Sequence, residues 1–306
     1  MAIPLQDIGA RSHASRARGL LRGLGRFAKA KPLGAFGLAV ILVMVVTAIF
    51  ADVIAPHDPL RQHIPLRLSR PGVISPEGKP YILGGDESGR DLFSRVVYGA
   101  RTSLFVSLGA VAIGSLIGSA LGLLSGYYEG KLDLLLQRVM DSQMAIPSLI
   151  LAMLLVTVMP RSPTTVVLAI GIAQIPQVNR VIRGATLSNK RNAYVEAAKA
   201  LGASNLRVMA FHILPNVVAP VIILATSSLG GAILVEASLS FLGLGTPPPT
   251  PSWGRMISDA GRRFILRDPK LLAVPGVVLS LAVLAVNLLG DAVRDVLDPR
   301  LRGTRH

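Results

Sequence analysis

Thr102–Tyr128 reads TSLFVSLGAVAIGSLIGSALGLLSGYY, a run without a single charged residue. At about 1.5 Å per residue, a helix of this length crosses the roughly 30 Å hydrocarbon core of a bilayer. Within it Gly114, Gly118, Gly122 and Gly126 recur at every fourth position, and Ala110 extends the row. Each step of four advances about 40° around a helix, so the row forms a slowly spiralling stripe of minimal side chains. Helices in lipid associate largely through close van der Waals contact, which makes such a stripe a packing surface. The stretch predicts a membrane helix packed in a bundle.

The same pattern recurs along the chain. Leu33–Ala51, Ser142–Pro160, Ser162–Asn179, Ile213–Val235 and Leu271–Gly290 are also free of charge and close to the span length. The composition agrees, with 51% apolar and only 16% charged residues and a mean hydropathy of +0.55; a soluble domain carries about 25% charged residues. An all-α polytopic membrane protein with six spans is expected, over 33–55, 102–126, 134–158, 164–182, 216–238 and 271–291. Ala237–Gly254 is charge-free too, but Pro247, Pro248, Pro249 and Pro251 deprive it of backbone donors, so it reads as an extracytoplasmic loop.

Six spans put both termini on one side. The segment before the first span holds Arg11, Arg16, Arg18, Arg22, Arg26, Lys29 and Lys31 against Asp7 alone. Positive charge beside the first helix marks the cytoplasmic side, so both ends are expected there. The parts are then a basic tail (1–32), the first span (33–55), a periplasmic segment (56–98), a core (99–291) with a loop at 183–215, and a cytoplasmic tail (292–306). The first span starts late and lacks a small-residue cleavage site, so it reads as retained rather than as a signal peptide. No internal repeat supports an inverted-repeat secondary transporter.

The formal net charge of +15 does not point to nucleic acid. The basic residues lie in tails and loops beside apolar spans with no aromatic residues among them, which suits anionic lipid headgroups. The absence of Cys excludes disulfides, Cys-ligated zinc and thiol catalysis. Neither a His-Glu-x-x-His nor a Gly-x-Ser-x-Gly pattern occurs, and no phosphate loop: Gly130-Lys131 is followed by Leu132, and Gly78-Lys79 by Pro80. No catalytic, metal or cofactor-binding residues are expected; if ATP is used, another chain hydrolyses it.

Polar residues within spans are costly and point to pairing or function. Asp133, Gln137 and Asp141 line one helix face beside Arg138, and an interhelical ion-pair network accounts for them. Gln174, Gln177 and Asn179 in the fourth span, with Ser227, Ser228, Gly230 and Gly231 in the fifth, are candidates for a hydrated pathway. Glu236, directly after the fifth span, joins them and is expected near the outer surface.

Arg183–Pro215 is the one long loop with internal order. Val195–Gly202 predicts a short helix with Glu196 opposing the positive end of its dipole. Ala197, Ala198 and Ala200 keep its surface thin, and Gly202 suits a left-handed cap. Ser204 or Asn205 can cap a second helix on which Leu206, Met209 and Ile213 recur at helical spacing, before Pro215 restarts the chain into the fifth span. Such a rigid bracket can dock in a groove on a soluble domain and transmit its movement.

The bracket resembles the Glu-Ala-Ala loop of ATP-binding-cassette importer permeases at Glu196, Ala197, Ala198, Gly202, Leu214 and Pro215. His212 replaces the usual Ile, as in the dipeptide/oligopeptide (and nickel) branch, second permease subunit. Leu83–Asp91, Ser94-Arg95, Tyr98–Arg101, Asp141 with Ala145–Pro147, Glu236–Gly245, Pro249–Gly254, Asn287–Asp291, Arg294-Asp295 and Leu297–Arg300 are similar to the same branch. Gly85 stands where Thr is commoner.

The resemblance implies a type I importer permease fold in a bacterial inner membrane. It also implies a homologous permease as partner, two ATPase subunits holding ATP and Mg, and a periplasmic or lipid-anchored substrate-binding protein. Peptides would be the cargo, with nickel chelates, glutathione or opine-like solutes as alternatives. An ATP-independent secondary transporter and an intramembrane enzyme are the rival classes.

Overall fold

The computed structural model describes residues 28–264 and 266–297. Most of the basic tail, and the chain from Asp298 onward, lie outside the described residues. Among the described residues, five helices are long and apolar enough to cross a membrane, or six if one bent pair counts as a single span.

α1 (Pro32–Ile49) is followed by the short α2 (Ala51–Ile54). A segment of tight turns then carries a two-stranded antiparallel hairpin, β1 (Val73–Ile74) with β2 (Pro80–Tyr81), in the register Val73 to Tyr81. The next helix, α3 (Leu92–Tyr128), begins ten residues before the charge-free run. Asp91 starts it: its carboxylate accepts from the Ser94 N–H at 2.9 Å and the Ser94 hydroxyl at 2.6 Å, an N-cap that satisfies orphan donors of the first turn. Arg95, on that first turn and buried, reaches Asp86 at 3.3 Å and ties the helix to the turn segment.

The stretch read as a straight third span is two helices, α4 (Gly130–Met144) and α5 (Ser148–Val158), bent by 90°. Pro147 makes the corner, because the residue before a proline is forced out of the helical region. α6 (Pro163–Lys190) has Ser162 as N-cap and Pro163 in its first turn, and it runs on through the first eight residues of the expected 183–215 loop. α7 (Ala193–Ala200) and α8 (Asn205–Val208) follow, then a π-helical segment (Met209–Ile213) leading into α9 (Leu214–Phe241). α9 includes Glu236, and Trp253 opens a further helix, α10 (Trp253–Arg263), so only 242–252 of the expected Ala237–Gly254 loop is irregular. α11 (Lys270–Leu297) ends the described chain.

α3 and α6 form the most extensive helix pair. A Cβ on Gly114 would sit 3.0 Å from the Gly171 carbonyl oxygen, and one on Gly118 2.9 Å from that of Ile175. Added at Gly122 or Gly126, it would lie 2.7 Å from the Asn179 oxygen or 2.8 Å from the Arg183 oxygen. The row therefore meets backbone oxygens and the Cβ atoms of Gln174, Val178, Ile182 and Thr186, none of which can swing away, over about three helical turns. One apolar cluster joins α3, α5, α6 and α9 around Val106, Ile170 and Leu239; another joins α1, α3, α10 and α11 around Leu92, Trp253 and Leu271.

Candidate functional site

Two places gather the residues singled out in the sequence: the bracket formed by α7 and α8, and a cavity midway along the bundle. The bracket is built on a small core of Val195, Val208, Met209, Ile213 and Val217 packed with Tyr127 from the end of α3. The Tyr127 hydroxyl donates to Asn205 Oδ1 at 2.7 Å, and the Lys199 ammonium lies 5.1 Å from the Tyr127 ring centroid.

Both turns of the bracket are capped. Gly202 has φ +81°, its N–H bonds to the Lys199 carbonyl, and the Ala203 N–H bonds to that of Ala198. This pair of bonds is a Schellman motif, which needs a left-handed residue at Gly202. Ser204 accepts from the Arg207 N–H and caps α8. Glu196 and Ala197 are exposed, while Ala198 is half-buried.

The π-helical segment has a local cause. Pro215 has no N–H, and its ring crowds the carbonyl four residues back. The Leu214 N–H reaches Met209 oxygen, a five-residue step, and the helix widens there. Val208, Met209 and Ile213 lie on the buried side, and Leu206 does not share the face of Met209 and Ile213 that helical spacing predicts. Leu201, Leu206 and Phe211 are 89%, 72% and 74% exposed. Leu206 and Phe211 border an outward groove of about 740 Å³ together with Ser204, Arg207, Ala210 and His212. Phe211 and Leu201 were missed in the sequence; only the excess of bulky apolar residues over buried positions in so short a segment hints at them. Leu214 and Pro215 are exposed at the start of α9.

Beside the bracket, Arg183 grips Asp133 with two bonds, at 2.7 and 2.6 Å, and Arg180 pairs with Asp141 at 2.9 Å. Gln137 donates to Ser125 Oγ and to Asn179 Oδ1. This network ties α4 to α3 and α6. Lys190 bonds to Glu129 at 2.7 Å and, through that hydrogen bond above all, holds the Glu129 carboxyl below its usual range.

The cavity, about 300 Å³, opens between α5, α6 and α9. Gln174, Gln177, Ser227, Ser228 and Gly231 all line it, with Ser148 at the start of α5. The other three candidates stand elsewhere. Asn179 is buried and bonded to Gln137. Gly230 lets α9 approach Asn287 on α11. Glu236 is fully buried in the bundle, accepting from Ser103 on α3 at 3.2 Å and from Ser240 at 2.8 Å.

Comparison with known proteins places these features. Residues 100–303 match the family described as binding-protein-dependent transport system inner membrane component. Residues 25–71 match the N-terminal transmembrane domain of oligopeptide transport permease C. The di/tripeptide transport system permease protein of Pseudomonas aeruginosa is 42% identical over 87% of this chain and 88% of its own length. The dipeptide transport system permease protein of Haemophilus influenzae is 41% identical over 87% and 90%. The glutathione transport system permease protein of Pectobacterium atrosepticum is 38% identical over 90% of both. The chain belongs to the binding-protein-dependent transport system inner membrane components, and it is a multi-pass permease subunit of an ATP-binding-cassette importer.

Proposed function

We propose that this chain carries di- and oligopeptides as one of two permeases, and that the α7–α8 bracket receives the motion of an ATPase subunit. The partners would be a homologous permease, two ATPases that hold ATP and Mg, and an extracytoplasmic binding protein. Both termini and the bracket lie in the cytoplasm, and the hairpin segment lies outside. Glu196, Ala197, Ala198, Gly202, His212, Leu214 and Pro215 form or support the docking surface.

The observation that carries this reading is the division of apolar side chains in the bracket. Val195, Val208, Met209 and Ile213 anchor it inward, while Leu201, Leu206 and Phe211 face outward. Exposed apolar groups on a rigid, capped element beyond the bilayer favour a protein partner. The names of the relatives support peptides as cargo. The glutathione relative favours a second cargo that is itself peptide-like.

Reconstitution tests the proposal. Proteoliposomes holding both permeases, both ATPases and the loaded binding protein should accumulate a dipeptide only with ATP. Accumulation that persists without the ATPases would return the chain to ATP-independent transport. A cross-link between Cys introduced at Leu206 and the ATPase would locate the docking surface; a complex that forms without any bracket contact would refute it.

A further inference from the structure

The cavity between α5, α6 and α9 supports a statement about what it binds, one that rests on the permease reading. Its polar lining is Ser148, Gln174, Gln177, Ser227 and Ser228, and no lining residue is charged. Gln174 and Gln177 lie near the middle of α6, and Ser227 and Ser228 near the middle of α9. This is the depth at which a bilayer is driest. Gln177 and Ser227 are nevertheless exposed. An amide facing hydrocarbon there would leave its hydrogen-bonding groups unmet, so this face meets water or polar groups of the second permease rather than lipid.

The formal charges on the surrounding helices are paired or turned away. Arg180 pairs with Asp141 and Arg183 with Asp133. Glu236, on the same helix as Ser227, points into the bundle toward Ser103 and Ser240. What remains for a solute is neutral hydrogen bonding. A side-chain amide both donates and accepts, and a hydroxyl does the same, so each can meet the N–H or the C=O of a peptide unit. The Gln174 side-chain oxygen is buried toward Gly114 on α3, so the groups free to meet a solute are those of Gln177 and Ser227, which are exposed. A Cβ at Gly231 would meet nothing within 4 Å, so this wall stays open.

We infer that this cavity is a solute subsite on the translocation path that holds backbone amides by neutral hydrogen bonds and is indifferent to the net charge of the solute. The subunit then admits whatever amide-bearing solute the binding protein delivers, without selecting again by charge.

The test uses the complete importer in proteoliposomes and three probe peptides, Ala-Ala-Ala, Ala-Glu-Ala and Ala-Lys-Ala. Binding-protein affinity for each is measured separately and divided out. After that correction the wild type should transport the three at similar rates. Gln177→Glu should lower uptake of Ala-Glu-Ala relative to Ala-Lys-Ala by about fivefold, equivalent to about 1 kcal/mol. Gln177→Lys should reverse the ratio, and Gln177→Leu should slow all three alike. Ser227→Asp repeats the test from α9, also at an exposed position. An unchanged charge ratio in Gln177→Glu and Ser227→Asp, with uptake otherwise proceeding, would overturn the inference. Failure of the permease reading looks different: the wild type would transport no peptide on addition of ATP.

Discussion

Gln143 donates its side-chain N–H to the main-chain carbonyl of Ile172 at 2.6 Å, and that carbonyl is the one left without a helical partner by Pro176. A proline inside a helix removes the N–H that would bond four residues back. In a bilayer no water is at hand to take its place, so the freed oxygen must find a donor within the protein. Here the donor comes from the last turn of α4, just before the 90° corner into α5. The corner is thereby pinned to the proline site of α6, and Ser148, Ala173 and Gln174 beside them line the cavity.

Gln143→Leu should destabilise the permease by about 1–3 kcal/mol, because it strands a buried acceptor. In a Pro176→Ala background the helix recovers its own N–H at that position, and the cost of Gln143→Leu should shrink. Unfolding in detergent of the four proteins of this double-mutant cycle gives the coupling directly. Equal costs in both backgrounds would contradict the assignment.

Gly118→Ala should cost about 1–3 kcal/mol through overpacking, since the new Cβ meets the backbone of Ile175 and the Cβ of Val178, and neither can swing away. Gly184→Ala on α6 is the control. Nothing lies within 4 Å of a Cβ there, and alanine is the better helix former by about 1 kcal/mol. The melting temperatures should move in opposite directions.

Gly202→Ala should loosen the bracket by about 1 kcal/mol, because φ +81° is open to glycine and strained for alanine. Gly202→Asn should be milder. Hydrogen exchange over 198–203 should quicken first in the alanine variant. In the reconstituted importer, uptake per ATP hydrolysed should fall for Gly202→Ala and for Glu196→Lys, with membrane insertion unaffected. Unimpaired uptake in both would remove the bracket from the coupling path.

Glu77 sets the acid limit of the hairpin segment. The hydrogen bond from Arg61, with a smaller contribution from His57, holds its carboxyl below the ordinary 4.5. A lowered carboxylate value means that the stabilisation is fully present above about pH 4.5 and is lost as pH falls through the lower folded value. Amide exchange in 73–81 should therefore stay flat down to about pH 4.5, after correction for intrinsic rates, and rise below it. In Glu77→Gln that rise should disappear. A pH step retained in Glu77→Gln would assign it to another group.

Much of this architecture could be read from the chain because bilayers impose a simple rule on composition. Charge-free runs marked the membrane helices, and glycine spacing marked the closest helix contact. Gly202 and Ser204 were legible as caps because their conformational preferences are local. The corner at Pro147 was not, since Ala145–Pro147 is as apolar as a straight span and only backbone geometry distinguishes the two. The early start of α3 was hidden by its charged first turns, where Arg95 is buried through pairing with Asp86. Asn179 and Gln177 look alike in sequence, yet two positions along a helix turn one inward to Gln137 and leave the other at the cavity. Leu206 was misplaced because, in a helix of one turn, spacing alone does not say which of its apolar residues the rest of the chain covers; Val208 is covered and Leu206 is not.

The glycine row has a mechanical consequence. Where two helices meet through long side chains, rotamer changes let them slip past one another; where a glycine row seats against backbone oxygens and Cβ atoms, that freedom is small. α3 and α6 thus behave as one beam, with the bracket fixed to one end and the cavity partway along. On the proposed coupling role, a push on the bracket would pass along this helix pair toward the cavity.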